Sequence, residues 1–167
     1  WLSDWSSDVC SSDLTLLIAD EPTTALDVTI QAQVLDLMNG LKSKYNTSLI
    51  MITHNLGIVA EMCDYVAVMY SGQVVEQGKI EDVFMRPSHP YTVGLFESVP
   101  DIDATQSRLK PIPGTMPNAL ELPAGCAFEP RCPKAMPQCK THEPRACSIS
   151  PDHQLSCFLF GKEEAAS

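Results

Sequence analysis

The sequence predicts an α/β fold, a parallel sheet with covering helices, followed by a proline- and cysteine-rich extension. Three observations predict it. An apolar run, Leu16-Leu17-Ile18-Ala19, stops at Asp20-Glu21-Pro22; a segment of helical periodicity follows; and a second apolar run, Ser48 to Thr53, ends at His54. Strands alternating with helices form parallel sheets with right-handed crossovers.

The first run reads as a strand buried on both faces, delivering acids at its carboxyl end. That end is where open α/β sheets bind ligands, and adjacent acids there are suited to a hydrated magnesium ion and a water. A lone Asp-Glu pair is more simply an acidic turn, so the weight falls on what surrounds it. From Thr29 to Tyr45 the apolar residues Ile30, Val34, Leu37, Met38, Leu41 and Tyr45 recur at helical spacing and predict one buried stripe. A short helix through Leu56, Val59, Ala60 and Met62 is expected next, then a strand at Tyr65 to Tyr70. The Ser71-Gly72 turn signal and Gln73 to Gln77 complete a hairpin. Ile80 to Met85 reads as a short helix, and His89-Pro90-Tyr91 opens another that runs to Ser98.

Composition shifts after about Ser88, and from Pro100 onward prolines recur every few residues. Pro111, Pro113, Pro117, Pro123, Pro130, Pro133, Pro137, Pro144 and Pro151 exclude long helices, and such a segment is expected to bury little apolar surface unaided. Five cysteines punctuate it in the spacing Cys126-x5-Cys132-x6-Cys139-x7-Cys147-x9-Cys157. This is wider than the Cys-x2-4-Cys of zinc ribbons. Four thiolates accept tetrahedral zinc or a 4Fe-4S cluster, and spacing alone leaves both open. The formal charge of -10, from 21 acids against 11 bases, argues against a nucleic-acid partner. No run of about 18 apolar residues is present, so membrane association is expected through a protein partner. Seven cysteines without a secretory signal point to reduced thiols or metal ligation rather than a disulfide scaffold.

LLIADEPTTALD, with SLIMITHN after it, resembles the Walker B, D-loop and switch-histidine portion of an ABC-transporter ATPase. TTALDVTIQAQVLDLM, HPYTVGLFESVP and GCAFEPRCPKAMPQC resemble one branch, the ATP-binding subunits of bacterial dipeptide/oligopeptide importers, and the likeness runs from Thr15 to Leu159. It implies the carboxyl-terminal part of a phosphate-loop ABC ATPase over 15–88 and an oligopeptide-transporter C-terminal region over 89–167. Residues 1–14, low in complexity and unlike the family, read as an appended leader. The phosphate loop and the signature that the family needs are not found, so the chain is expected to be part of a longer protein and not to hydrolyse ATP alone.

By the same resemblance Asp20 holds magnesium, Glu21 positions the attacking water, Asp27 is the D-loop aspartate beside the nucleotide, and His54 senses the γ-phosphate. Asp27 also suits a helix N-terminus, and Asn55 stands where many members have Asp. The likeness assigns Cys126, Cys132, Cys139 and Cys157 to the 4Fe-4S cluster that some members hold, with zinc the alternative, and leaves Cys147 out. The implied function is ATP hydrolysis coupled to peptide uptake; a non-enzymatic cysteine-ligated module on a truncated ATPase is the competing reading. Implied partners are a second, related ATPase subunit, the transmembrane permease subunits and, through them, a periplasmic or extracellular peptide-binding protein. The implied location is the cytoplasmic face of the cell membrane.

Overall fold

The computed structural model describes residues 15–99, 111–118 and 122–161; the expected leader lies outside them. The chain divides into two compact units, Trp1–Cys63 and Asp64–Ser167, and its architecture is mixed α/β with two separate sheets.

In the first unit, β1 (Leu16–Asp20) and β2 (Ser48–Ile52) pair in parallel, with Leu16 opposite Ser48 and Asp20 opposite Ile52. The crossover between them is helix α1 (Val28–Tyr45), as a parallel pair requires. Asp27 begins α1 by accepting the Ile30 N–H at 2.9 Å, and Asn46 ends it in the left-handed region at φ 51°, a conformation Asn tolerates at a helix end. Helix α2 (Leu56–Met62) follows β2. Leu35 and Met38 of α1 and Ile58 and Met62 of α2 form the core, packed on Ala19, Leu49 and Met51.

Two expectations change here. The strands are covered on one face only: Ile18 is 61% exposed, and Leu16, Ile50 and Ile52 also face solvent. Side chains alternate along a strand, and both helices supply apolar partners to the same side. The buried stripe of α1 is also only partly the expected one: Val34 and Met38 turn inward as expected and Leu35 joins them, while Ile30, Leu37 and Tyr45 are exposed.

The second unit is built on an antiparallel sheet. Strands β3 (Tyr65–Tyr70) and β4 (Gln73–Lys79) form a hairpin. Ser71 and Gly72 both have positive φ, 47° and 81°, which matches the right-handed twist of the flanking strands. The hairpin expected around Ser71-Gly72 is therefore present, and its sheet is separate from the parallel pair rather than a continuation of it. Helices α3 (Ile80–Met85) and α4 (Pro90–Glu97) follow, with Pro90 in the first turn of α4, where its missing N–H costs nothing.

The larger surprise is the proline-rich segment. It contributes strands β5 (Ala146–Ser150) and β6 (His153–Ser156), and the sheet runs β3-β4-β6-β5. It also buries Phe128 and Leu155 almost completely. Phe128 meets Tyr70 edge-on at 5.1 Å and Tyr91 at 5.4 Å, in a core with Val68, Val75 and Val83. Three aromatic rings bury enough area to anchor a loop-rich segment. Arg131 adds polar anchors, donating from Nε to the Pro113 carbonyl at 3.0 Å and from a terminal nitrogen to the Ile112 carbonyl at 3.1 Å. Prolines excluded long helices as expected, but they did not exclude a core.

Candidate functional site

The first site is assembled at the carboxyl ends of β1 and β2. Asp20 closes β1, and its neighbour Glu21 turns away from the strand with φ 45°, while its N–H still donates to the Ile52 carbonyl at 2.8 Å. That bond ties the turn after β1 to the end of β2, two residues before His54. In consequence His54 Nδ1 lies 2.8 Å from Glu21 Oε1. A carboxylate only accepts, so Nδ1 carries the proton of this bond. Thr24 Oγ1 donates to the other oxygen, Glu21 Oε2, at 2.7 Å. The hydrogen bond from His54 first, and that from Thr24 second, hold the Glu21 carboxyl below the usual carboxylate range.

These partners orient Glu21 without burying it: the His54 side chain is 82% exposed. Asp20 is exposed as well, a hard oxygen donor of the type magnesium selects. Glu21 is already engaged by two neighbours, so of the two acids Asp20 fits the metal and Glu21 fits a water. Asp27 does not join this cluster among the described contacts; its carboxylate caps α1. Asn55 caps α2 in the same manner, accepting from Gly57 N–H at 3.0 Å and Ile58 N–H at 3.4 Å. Asn and Asp cap about equally well, so Asn at this position keeps the helix start behind His54.

The second site lies in the other unit. Cys126, Cys132, Cys139 and Cys157, four positions spread over 32 residues, line one cavity together with Phe128 and His89. The Cys126 N–H donates to the Cys139 carbonyl at 2.8 Å, which brings the first and third thiol segments side by side. Gly125 permits this approach: a Cβ there would stand 2.2 Å from the Cys139 carbonyl oxygen. Burial pushes the Cys126 and Cys132 thiols up, and it pushes Cys157 up to about 11, with repulsion from the other three thiolates adding to it. Cys147 stays outside, its thiol donating to the Leu155 carbonyl at 3.3 Å.

Whether this pocket fits a metal group can be tested on its donors and its room. Four soft sulfur donors lining one cavity are the set that zinc and iron-sulfur clusters select, and a bound cation would offset the repulsion that adds to burial in raising Cys157. The thiols nevertheless stand apart, since among the described residues no three His, Cys, Asp or Glu side chains converge as a preformed metal site. The cavity between them is about 10 Å³, the space of one water-sized sphere. The donor type fits, but the described side chains do not form a preformed site.

The spacing of His89 and Glu76 carried no functional signal, yet both are placed deliberately. His89 is buried, and its Nδ1 accepts the Tyr91 N–H at 3.1 Å, capping α4. Burial lowers its pKa to about 4, against an opposing pull from the Glu76 carboxylate. This is the structural content of the His-Pro-Tyr triplet: a cap, a first-turn proline and a ring that packs on Tyr70 at 4.7 Å.

Residues 75–139 match the family described as oligopeptide/dipeptide transporter, C-terminal region. The oligopeptide transport ATP-binding protein AppD of Bacillus subtilis is 54% identical over 150 residues, which is 90% of this chain and 46% of that protein. The oligopeptide transport ATP-binding proteins OppD of Salmonella typhimurium and Escherichia coli are 54% and 52% identical over 143 residues, 86% of this chain and 42% of each relative. The chain thus spans less than half the length of these relatives. A solved structure, cbiO1 from Clostridium perfringens, overlaps 48% of this chain and 32% of its own at 33% identity, with a TM-score of 0.40.

Proposed function

We propose, from the family match over residues 75–139 and the 54% identity to AppD and OppD, that this chain belongs to the oligopeptide/dipeptide transporter ATP-binding family and that its first unit carries the hydrolytic edge of an ATP-driven peptide importer. The observation that carries the reading is the 2.8 Å contact between His54 and Glu21 at the ends of two parallel strands. Chemistry on a terminal phosphate is mostly positioning and electrostatic stabilisation. Glu21, oriented by His54 and Thr24, holds the attacking water; Asp20 holds magnesium; His54 reports the terminal phosphate; and Asp27, while capping α1, belongs to the loop that meets a second ATPase subunit.

Peptide uptake is then driven through permease subunits that receive the protein at the cytoplasmic face of the membrane, with an external binding protein delivering the peptide. No helix among the described residues is long and apolar enough to cross a membrane, which is consistent with peripheral attachment. The division proposed is an ATPase part over 15–88 and a transporter-specific region over 89–167. The test is ATP turnover in the assembled transporter. Glu21→Gln is expected to lower kcat by about 10²-fold or more while nucleotide binding persists, with His54→Ala acting in the same direction. Unchanged turnover in Glu21→Gln overturns the assignment. The isolated 167-residue chain is expected to show no magnesium-dependent turnover.

The second unit is proposed to hold a four-thiolate metal centre through Cys126, Cys132, Cys139 and Cys157. Family likeness favours a 4Fe-4S cluster, whereas the small cavity favours a single zinc ion. Either group would cross-link four separated points of a loop-rich segment. Iron, sulfide and zinc analysis after anaerobic purification, with a visible spectrum, separates them. Iron with equivalent sulfide, lost in Cys126→Ser, supports the cluster; zinc alone supports the ion; neither removes the centre and leaves the tail without a metal.

A further inference from the structure

Glu76 on β4 is completely buried and carries no thiol, yet its hydrogen bonds reach His89, which lines the thiol pocket, and the strand that leads to Cys157. Its Oε1 accepts from the Ser88 N–H at 2.8 Å and from His153 Nε2 at 2.7 Å, and its Oε2 accepts from the His89 N–H at 2.9 Å. His89 lines one side of the cavity, and Cys157, four residues beyond His153, lines it as well. A buried carboxylate needs this many donors to offset its desolvation. One group therefore joins the turn before α4 to the start of β6.

The ladder that this group braces is short. Strands β4 and β6 share three pairs: Glu76 with Leu155, Gln77 with Gln154, and Gly78 with His153. A slip of one residue in such a pairing would turn every side chain of β6 to the opposite face. His153 and Leu155, both 2% exposed, point inward, and Cys157 follows them at the same two-residue interval. Gly78 marks the register from the other strand, because a Cβ there would lie 2.8 Å from the Asp152 carbonyl oxygen. His153 is a residue type that ligates metals, but it is not among the residues that line the thiol pocket.

We propose that Glu76 and His153 form a register lock that sets the place of Cys157 in the thiol pocket, making both of them positioning residues for that site and His153 no ligand of it. The metal-centre side of this inference rests on the reading given above; the placement of Cys157 does not. The experiment compares the full chain with His153→Leu and His153→Gln. Each thiol's alkylation rate by iodoacetamide is read by peptide mass spectrometry under chelation, and iron and zinc content is measured on anaerobically purified protein.

His153→Leu is expected to raise the rate of Cys157 about tenfold relative to Cys139 and to weaken metal retention by about 10–100-fold, the range for losing a supporting hydrogen bond behind a metal ligand. His153→Gln, whose amide N–H can still donate to Glu76, is expected to return both to wild-type values. An unchanged Cys157 rate in His153→Leu overturns the lock, as does a rise of all four thiols together with no return in His153→Gln. If the wild type binds neither iron nor zinc while Cys157 responds as stated, the metal centre fails and the lock stands. If the wild type is loaded and Cys157 does not respond, the reverse holds.

Discussion

Glu21 and Glu76 are both glutamates held by a histidine, at 2.8 Å and 2.7 Å, and they sit in opposite surroundings. Glu21 stands at a strand end beside a His54 side chain that is 82% exposed, whereas Glu76 and His153 are 0% and 3% exposed in their side chains. In water the attraction of such a pair is screened and its stabilising effect is small. In the interior each group has lost its hydration, so the partner and the two backbone donors on Glu76 become indispensable. The same two residue types therefore make a site available to a ligand in one unit and a fixed strut in the other.

The comparison breaks most readily at Glu76. Glu76→Ala leaves His153 and two backbone N–H groups buried without their acceptor and is expected to destabilise the second unit by about 3–5 kcal/mol, measured by denaturant unfolding. Glu21→Ala is expected to leave the unfolding midpoint where it was. Equal effects at the two positions would erase the distinction.

Acid tests the same burial through His89. Its folded pKa of about 4 lies below the ordinary 6.5, so the unfolded chain takes up the proton first as pH falls. Stability is fully present above pH 6.5, declines between 6.5 and about 4, and loses no more from this group below that. The loss amounts to at most about 3 kcal/mol. The variant His89→Asn retains a helix-capping side chain and is expected to flatten this part of the pH profile; an identical profile in both proteins would show that His89 is not the group responsible.

Asp27 gives a smaller effect. Removing its cap in Asp27→Ala is expected to cost about 1 kcal/mol, visible as reduced helix content and a lower midpoint of the first unit, while Asp27→Asn is expected to be neutral for stability. The smallest change is in the exposed pair. The Glu21 carboxyl is held below its usual range, so the contact with His54 is present above that range and lost as pH falls through the lowered value. The carboxyl carbon shift of Glu21 in NMR is expected to titrate below the usual carboxylate range, with no accompanying shift in the unfolding midpoint.

Legibility differed between the units for the same physical reason. Asp20, Glu21 and His54 are reached by two short strands whose apolar runs stop at the site, and parallel pairing of those runs brings their ends together. Local patterns therefore located the acids and the histidine. They did not show which strand face would be covered, because that depends on where α1 and α2 pack, and of the stripe of α1 they found Val34 and Met38 but missed Leu35. In the second unit, Phe128 and Leu155 carry no periodic signal among the prolines around them. Their burial comes from partners 58 and 79 residues away, at Tyr70 and Glu76.

What the sequence by itself determined was the set of chemically capable groups and their order: acids at a strand end, a histidine after the next strand, an aspartate suited to the start of the first helix, and thiols at intervals too wide for a local knuckle. Hydrogen-bond capacity, side-chain period and proline's missing donor act within a few residues, so they can be read from the chain. Only the tertiary structure decided that the proline-rich segment would supply half of a four-stranded sheet, that four thiols would face one cavity, and that Glu76 would become a buried anchor. Those outcomes depend on desolvation and on contacts across 70 or more residues, whose free energy appears only when the distant partners are packed together.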